Sequence, residues 1–278
     1  MKIIKSKILI VFLVSVMSFA LTSCGGGDSK NDLVKEVNGA LKNSAGVTES
    51  DVTLEGKVKS DTLKQQGGEI KLKADIKIKN ASQDKVDLEK MEAAIDMEVG
   101  AKAGSFNAKM YIKDGYTYTE VMGIKSKSKL ETPGLENLNI TSSVNKIDEA
   151  HVKEAKKEDG KIILAIDAEK FFKSLMENIE KKNGAKADSE KMNDAVKAIH
   201  KAFKSLTLEF TIKDKKIKQM DLKAKITDKK SGLGKATLSF SFKYNKIGNI
   251  GEIAFPKDLK DYKSINNTGE KSPSPLGI

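Results

Sequence analysis

An α+β protein built on one large, curved antiparallel β-sheet (a half-barrel), with helices covering its concave apolar face, is predicted by three features of the sequence. Long tracts alternate apolar and charged residues with period two: Ile70, Leu72, Ala74, Ile76 and Ile78 stand against Lys71, Lys73, Asp75, Lys77 and Lys79. That is the signature of a sheet wetted on one side. A few stretches instead repeat apolar residues at helical spacing. No run of linker composition divides the chain, so one core is expected, and a sheet of eight or more strands with one apolar face curls around that face.

The chain opens with Lys2, Lys5 and Lys7, an apolar run from Ile8 to Leu21, and then Thr22, Ser23 and Cys24. This is the three-part layout of a secretory signal, and the apolar run is shorter than the ~20 residues a spanning helix needs. Leu21-Thr22-Ser23-Cys24 has the form of a bacterial lipobox, in which the cysteine sulfur receives a diacylglyceryl group before cleavage. Two or more acyl chains anchor a protein stably where one does not. Residues 1–23 are therefore expected to be a lipoprotein signal peptide. Cys24, the only cysteine, is expected to hold the mature chain on membrane lipid at the extracytoplasmic face of the cell membrane. A single cysteine also excludes an intrachain disulfide framework. Gly25-Gly26-Gly27 and the residues to 31 read as a flexible tether.

From Asp32 to Asn43, Leu33, Val34, Val37 and Leu41 recur at helical spacing. Strands follow around Val52–Val58, Ile70–Ile78, Ala93–Val99 and Phe106–Ile112, and Asp114-Gly115 marks a hairpin turn because that pair tolerates positive φ. Gly123 to Leu138 reads as irregular, with a loop at Pro133-Gly134, and Asn145 to Lys157 reads as helical. Lys161 to Ile166 is a brief strand ended by Asp167, a good N-cap. Two helices then carry Phe171, Phe172, Leu175, Met192, Ile199 and Phe203 up to about Ser205. Strands return at Leu206–Ile212, Met220–Ile226, Ala236–Phe242 and Ile253–Phe255. One domain over 32–263 is expected, with a disordered polar tail over 264–278.

All 50 basic residues are lysine, and the formal charge is +11. Loss of Lys2, Lys5 and Lys7 with the signal lowers it to +8. Basicity suggests nucleic acid, but base readout leans on arginine and single-strand binding on aromatic stacking. With no arginine, no tryptophan and 5% aromatics, nucleic acid is not an expected partner. The lysine faces read as solvated sheet that resists edge pairing, with weak contact to anionic envelope polymers as a secondary property. His151 and His200 are the only histidines and lack zinc-site spacing. Nucleophile-elbow and phosphate-loop motifs are missing, so neither an enzyme nor a cofactor or metal is expected. A third option, an envelope hydrolase with paired carboxylates, lacks aromatic platforms for sugar rings.

Methionine is a flexible filler suited to varied apolar partners, and Met97, Met110 and Met220 lie on inward strand positions. With Ile76, Phe210, Leu222 and Phe240 they are the expected lining of an apolar cavity, and Phe171, Phe172, Leu175, Met192, Ile199 and Phe203 are its expected helical plug. The competing expectation is a structural or interaction module of the envelope whose core is simply filled.

Lipobox, tether, opening helix, Lys-faced strands such as Phe106-Asn107-Ala108-Lys109-Met110-Tyr111-Ile112-Lys113-Asp114-Gly115, and an inserted helical segment together resemble the LolA/LolB and LppX/LprG lipoprotein superfamily over most of Leu33 to Tyr262. The resemblance implies an incomplete, strongly curved barrel closed by helices, with acyl chains of lipids or lipoproteins held between them. The lipoprotein-carrier branch latches its lid with an arginine, which this chain lacks. That places it nearer the anchored lipid-binding members, as a non-catalytic protein with a lipid or other hydrophobic ligand.

Overall fold

The computed structural model describes residues 29–45, 47–62, 68–80, 87, 89–102, 104–130, 146–174, 202–228 and 234–264. The expected signal segment 1–23, Cys24 and residues 265–278 lie outside these residues, whereas Ser29–Asn31 of the expected tether belong to a helix and its cap and Ser264 of the expected tail belongs to a strand. No helix among the described residues is long and apolar enough to cross a membrane.

Helix α1 spans Lys30–Ala45, starting two residues before the expected position. Ser29 caps it. Its hydroxyl accepts the Asp32 backbone N–H at 3.3 Å and donates to the Asp32 carboxylate at 2.5 Å, so the first turn is closed from both sides. Leu33, Val34, Val37 and Leu41 fall on one face and are fully buried. They join one apolar cluster with strand residues that include Leu54, Leu164, Leu208 and Met220.

Strands β1 (Ser50–Ser60), β2 (Glu69–Lys79), β3 (Glu92–Ala101), β4 (Gly104–Lys113), β5 (Tyr116–Val121) and β6 (Ile124–Lys129) form one meander. Strands β7 (Val152–Glu158), β8 (Lys161–Ile166), β9 (Phe203–Lys213), β10 (Lys216–Asp228) and β11 (Gly234–Ile247) form a second. The two are fused by antiparallel pairing of β1 with β11, with Leu54 opposite Phe242 and Gly56 opposite Phe240. The sheet has twelve strands in the order β12-β6-β5-β4-β3-β2-β1-β11-β10-β9-β8-β7. Its last member, β12 (Lys263–Ser264), runs parallel to β6, so the sheet is mixed rather than purely antiparallel. It is open, with β7 at one edge and β12 at the other.

The tight turns follow their residues. Asp114-Gly115, Asp159-Gly160 and Asp214-Lys215 all sit at positive φ, as two-residue hairpins require. Asp114 and Asp214 follow the same Ile-Lys pair, and both open such a turn. Met122-Gly123 does the same between β5 and β6, with Met122 at φ 51°.

Four expectations are corrected. The segment 145–157 is not a helix: a short 3-10 turn at Glu149–His151 leads into β7, because the Asp159-Gly160 hairpin folds it against β8. Part of the irregular stretch after Gly123 is β6, paired with β5 from Val121↔Ile124 to Tyr116↔Lys129. Phe203 is not helical but opens β9 opposite Ile226, since the alternation of Leu206, Leu208 and Phe210 extends the ladder backwards. Ile253–Phe255 is not a strand; it follows Gly251 at positive φ and precedes Pro256, which has no ladder N–H to give. The helix at 168–174, α2, does begin on its expected cap: Asp167 Oδ1 accepts the N–H groups of Glu169 and Lys170 at 3.1 and 3.3 Å.

Candidate functional site

The apolar face of the sheet is continuous but unevenly covered. α1 lies against β7, β8, β9 and β10. Ile76, Phe210, Met220, Leu222 and Phe240, five of the seven residues expected to line a cavity, are each 5% exposed or less and belong to the packed cluster that α1 joins. The other two lie further along. Met97 is half-buried against that cluster, and Met110 is half-buried beside it, opposite Ile95. Around them Ile95, Val99, Phe106 and Ile112 are also half-buried on the same face. The face is thus closed at the β7–β10 side and partly accessible at β3–β4.

Two polar side chains of α1 fix this arrangement. The Asn38 amide donates to the Ile147 carbonyl at 2.8 Å and accepts the Ile147 N–H at 2.7 Å. Ser44 donates to the Ala40 carbonyl at 2.8 Å and accepts the Ile217 N–H at 2.9 Å. Backbone groups in a core need such partners.

Of the expected plug, Phe171 and Phe172 are buried and packed edge-on at 5.5 Å, and Phe172 meets Phe203 of β9 at 5.1 Å. Leu175, Met192 and Ile199 lie outside the described residues, as do Leu21, Thr22, Ser23, Cys24 and His200. His151 closes a 3-10 turn with its N–H on the Asp148 carbonyl. Among the described residues no group of three His, Cys, Asp or Glu side chains is placed to hold a metal.

The polar face carries two features that the residue pattern left unread. One is a pair of buried carboxylates on neighbouring strands, Glu209 and Asp221, each 8% exposed. Lys161 reaches both, at 3.6 and 3.5 Å, Lys223 pairs with Glu209, and the Gln219 amide donates to Asp221 at 2.9 Å. Beside them two adjoining depressions of about 630 and 510 Å³ share Lys57, Lys223 and Ser239. Of the seven residues expected to line a cavity, Leu222 and Phe240 border the first depression, and Ile76, Met97, Met110, Phe210 and Met220 border neither.

The second is an aromatic brace. The chain after β11 crosses the polar side of β4–β6, where Phe255 meets Tyr111 at 6.4 Å and Tyr262 meets Tyr118 at 5.6 Å. Lys125 pairs with Asp258 and lies over the Tyr262 ring, and the Tyr262 hydroxyl donates to Glu120 at 3.3 Å. Burial raises the phenols of Tyr111, Tyr118 and Tyr262 above their ordinary range. The hydrogen bond from Lys125 lowers Asp258. Tyr111, Tyr116 and Tyr118 on a face otherwise rich in lysine are the sequence signal for this brace.

Fold and faces together define a large open sheet protein with an N-terminal helix packed on one end of its apolar side. The sequence matches no protein-family model and no curated protein. Among solved structures it is similar to LprF from Mycobacterium bovis, at 11% identity and a TM-score of 0.38, over 83% of this chain and 99% of that one.

Proposed function

We propose that this chain is a lipid-anchored extracytoplasmic protein that binds a lipid or other apolar ligand without catalysis. In this reading residues 1–23 are removed as a signal peptide, Cys24 is acylated, the tether runs from Cys24 up to the Ser29 cap of α1, the half-barrel domain extends from there through β12, and the residues after Ser264 form a polar tail. The observation that supports ligand binding is the uneven cover of a single apolar face: Ile95, Met97, Val99, Phe106, Met110 and Ile112 stay half-buried where α1 does not reach. Apolar surface of this kind gains free energy in proportion to the area an acyl chain removes from water. The packing of Ile76, Phe210, Met220, Leu222 and Phe240 favours a second reading, a structural envelope module with a filled interior.

Native mass spectrometry of the processed protein, released from detergent, separates the two. A non-covalent lipid mass beyond the chain and its acyl groups, lost in Met110→Glu, supports the ligand. A mass accounted for by chain and acyl groups alone overturns it in favour of the module. The anchor has its own test, metabolic labelling with a fatty-acid analogue, where undiminished labelling of Cys24→Ala would remove it.

A further inference from the structure

The polar side of β11 is a row of short hydroxyl side chains, Thr237, Ser239 and Ser241, set between the long side chains of its two neighbours. Register makes rungs of them. Thr237 stands between Lys59 of β1 and Lys225 of β10, and Ser239 between Lys57 and Lys223. The next rung reverses sign, with Ser241 between Glu55 and Asp221. Strand spacing places the lysine rows about 10 Å apart at their Cα atoms, and the rungs about 7 Å apart along the strand. The result is a trough with ammonium walls and a hydroxyl floor, closed at one end by carboxylates. Its wider lining adds Ser205, Thr207 and Glu209 from β9.

Glu209 is already engaged by Lys161 and Lys223. Lys57 and Lys59 share a single carboxylate, Glu69, at 3.2 and 3.4 Å, with Lys71 as a third claimant at 3.5 Å. Lys225 has no ion-pair partner among the described residues. The side chains of Lys57 and Lys59 are 42 and 58% exposed, and pairs exposed to this degree hold each other weakly. Lys57, Lys59 and Lys225 can therefore turn to a ligand, while Lys223 stays on Glu209 as part of the wall.

We propose that this trough binds phosphodiester groups of a linear polyanionic polymer. It lies on the opposite face from the proposed apolar ligand and goes beyond that reading. Lysine serves phosphate as a point charge, and the Thr237 and Ser239 hydroxyls donate to the phosphate oxygens between the walls. A linear chain can descend to this floor. A flat bilayer would meet only the lysine tips.

The test is binding of a fluorescent synthetic glycerol-phosphate oligomer to the full chain in detergent micelles, read by anisotropy at several salt concentrations. The double variant Lys59→Gln/Lys225→Gln is expected to weaken binding about tenfold and to flatten the salt dependence by the loss of two phosphate contacts. Ser239→Ala/Thr237→Val is expected to weaken it with the salt dependence unchanged. The pair Lys109→Gln/Lys246→Gln, equal in charge but outside the trough, is expected to bind as the parent does. Equal losses in both lysine pairs, or none in the trough pair, would overturn the proposal. So would loss of binding to anionic phospholipid vesicles with oligomer binding intact, which would assign the lysines to a membrane surface.

Discussion

Replacing Gly56 by alanine puts a methyl carbon into space that the ring of Phe240 occupies. An added Cβ would lie 2.6 and 2.8 Å from two ring carbons of Phe240 and 3.3 Å from the Leu72 Cβ, where carbon atoms prefer about 3.5–4.0 Å. Gly56 sits at the fusion of the two meanders, between Phe240 and Leu72 in register, and the ring is 4% exposed. It cannot swing into solvent without leaving the core. Overpacking of this kind costs about 1–3 kcal/mol. Against it, alanine narrows the unfolded ensemble and returns about 0.4–1 kcal/mol. The net expectation is a loss of about 1–2 kcal/mol, or about 2–8 °C in Tm for a domain of this size. Urea unfolding followed by circular dichroism measures it. The cause is isolated by Phe240→Leu, which shortens the group that clashes: in that background Gly56→Ala should cost less, with a coupling of about 1 kcal/mol. A Gly56→Ala protein as stable as the parent, or additive double variants, would refute the packing argument.

Three further outcomes follow from the geometry. Asn38→Ala leaves the buried N–H and C=O of Ile147 without partners and should cost about 2–4 kcal/mol in urea unfolding, while Asn43→Ala, which loses one exposed bond to the Lys215 carbonyl, should cost under about 1 kcal/mol. Met122→Asn should raise Tm by about 2–4 °C, because Met122 is 78% exposed at positive φ, a conformation asparagine adopts more readily. Stability should fall as pH rises past the ordinary phenol value of 10.0. The folded phenols of Tyr111, Tyr118 and Tyr262 are raised, so the unfolded chain loses those protons first and ionisation favours unfolding. Phenolate absorbance should then rise together with loss of ellipticity, and Tyr262→Phe should weaken that coupling.

The strands that proved legible in the sequence are those with one wet and one dry face. In β2, Leu72, Ala74 and Ile76 alternate with Lys73 and Asp75 because burial itself alternates. β7 escaped because it is an edge. Only Val152 and Ala155 turn inward, three residues apart like helix positions, and the remaining Lys and Glu guard an exposed edge. Its hairpin signal, Asp159-Gly160, is the same as Asp114-Gly115. The brace of Phe255 and Tyr262 depends on residues more than a hundred positions away and has no local pattern. The same holds for the trough: Lys59, Thr237 and Lys225 become neighbours only through the register of β1, β11 and β10. Which of the inward residues α1 covers was likewise hidden, since periodicity gives a face and not its partner.

The clamp between Asn38 and Ile147 spans 109 residues, and that between Ser44 and Ile217 spans 173. A chain that emerges from its N-terminus thus offers α1 no surface until β7 to β10 have arrived, and β1 waits for β11 before its second neighbour exists. Loops this long must close before their contacts reward them, which makes acquisition of the native state late and slow. Until then the β1–β6 meander can pair only within itself, and α1 has no strand surface to cover.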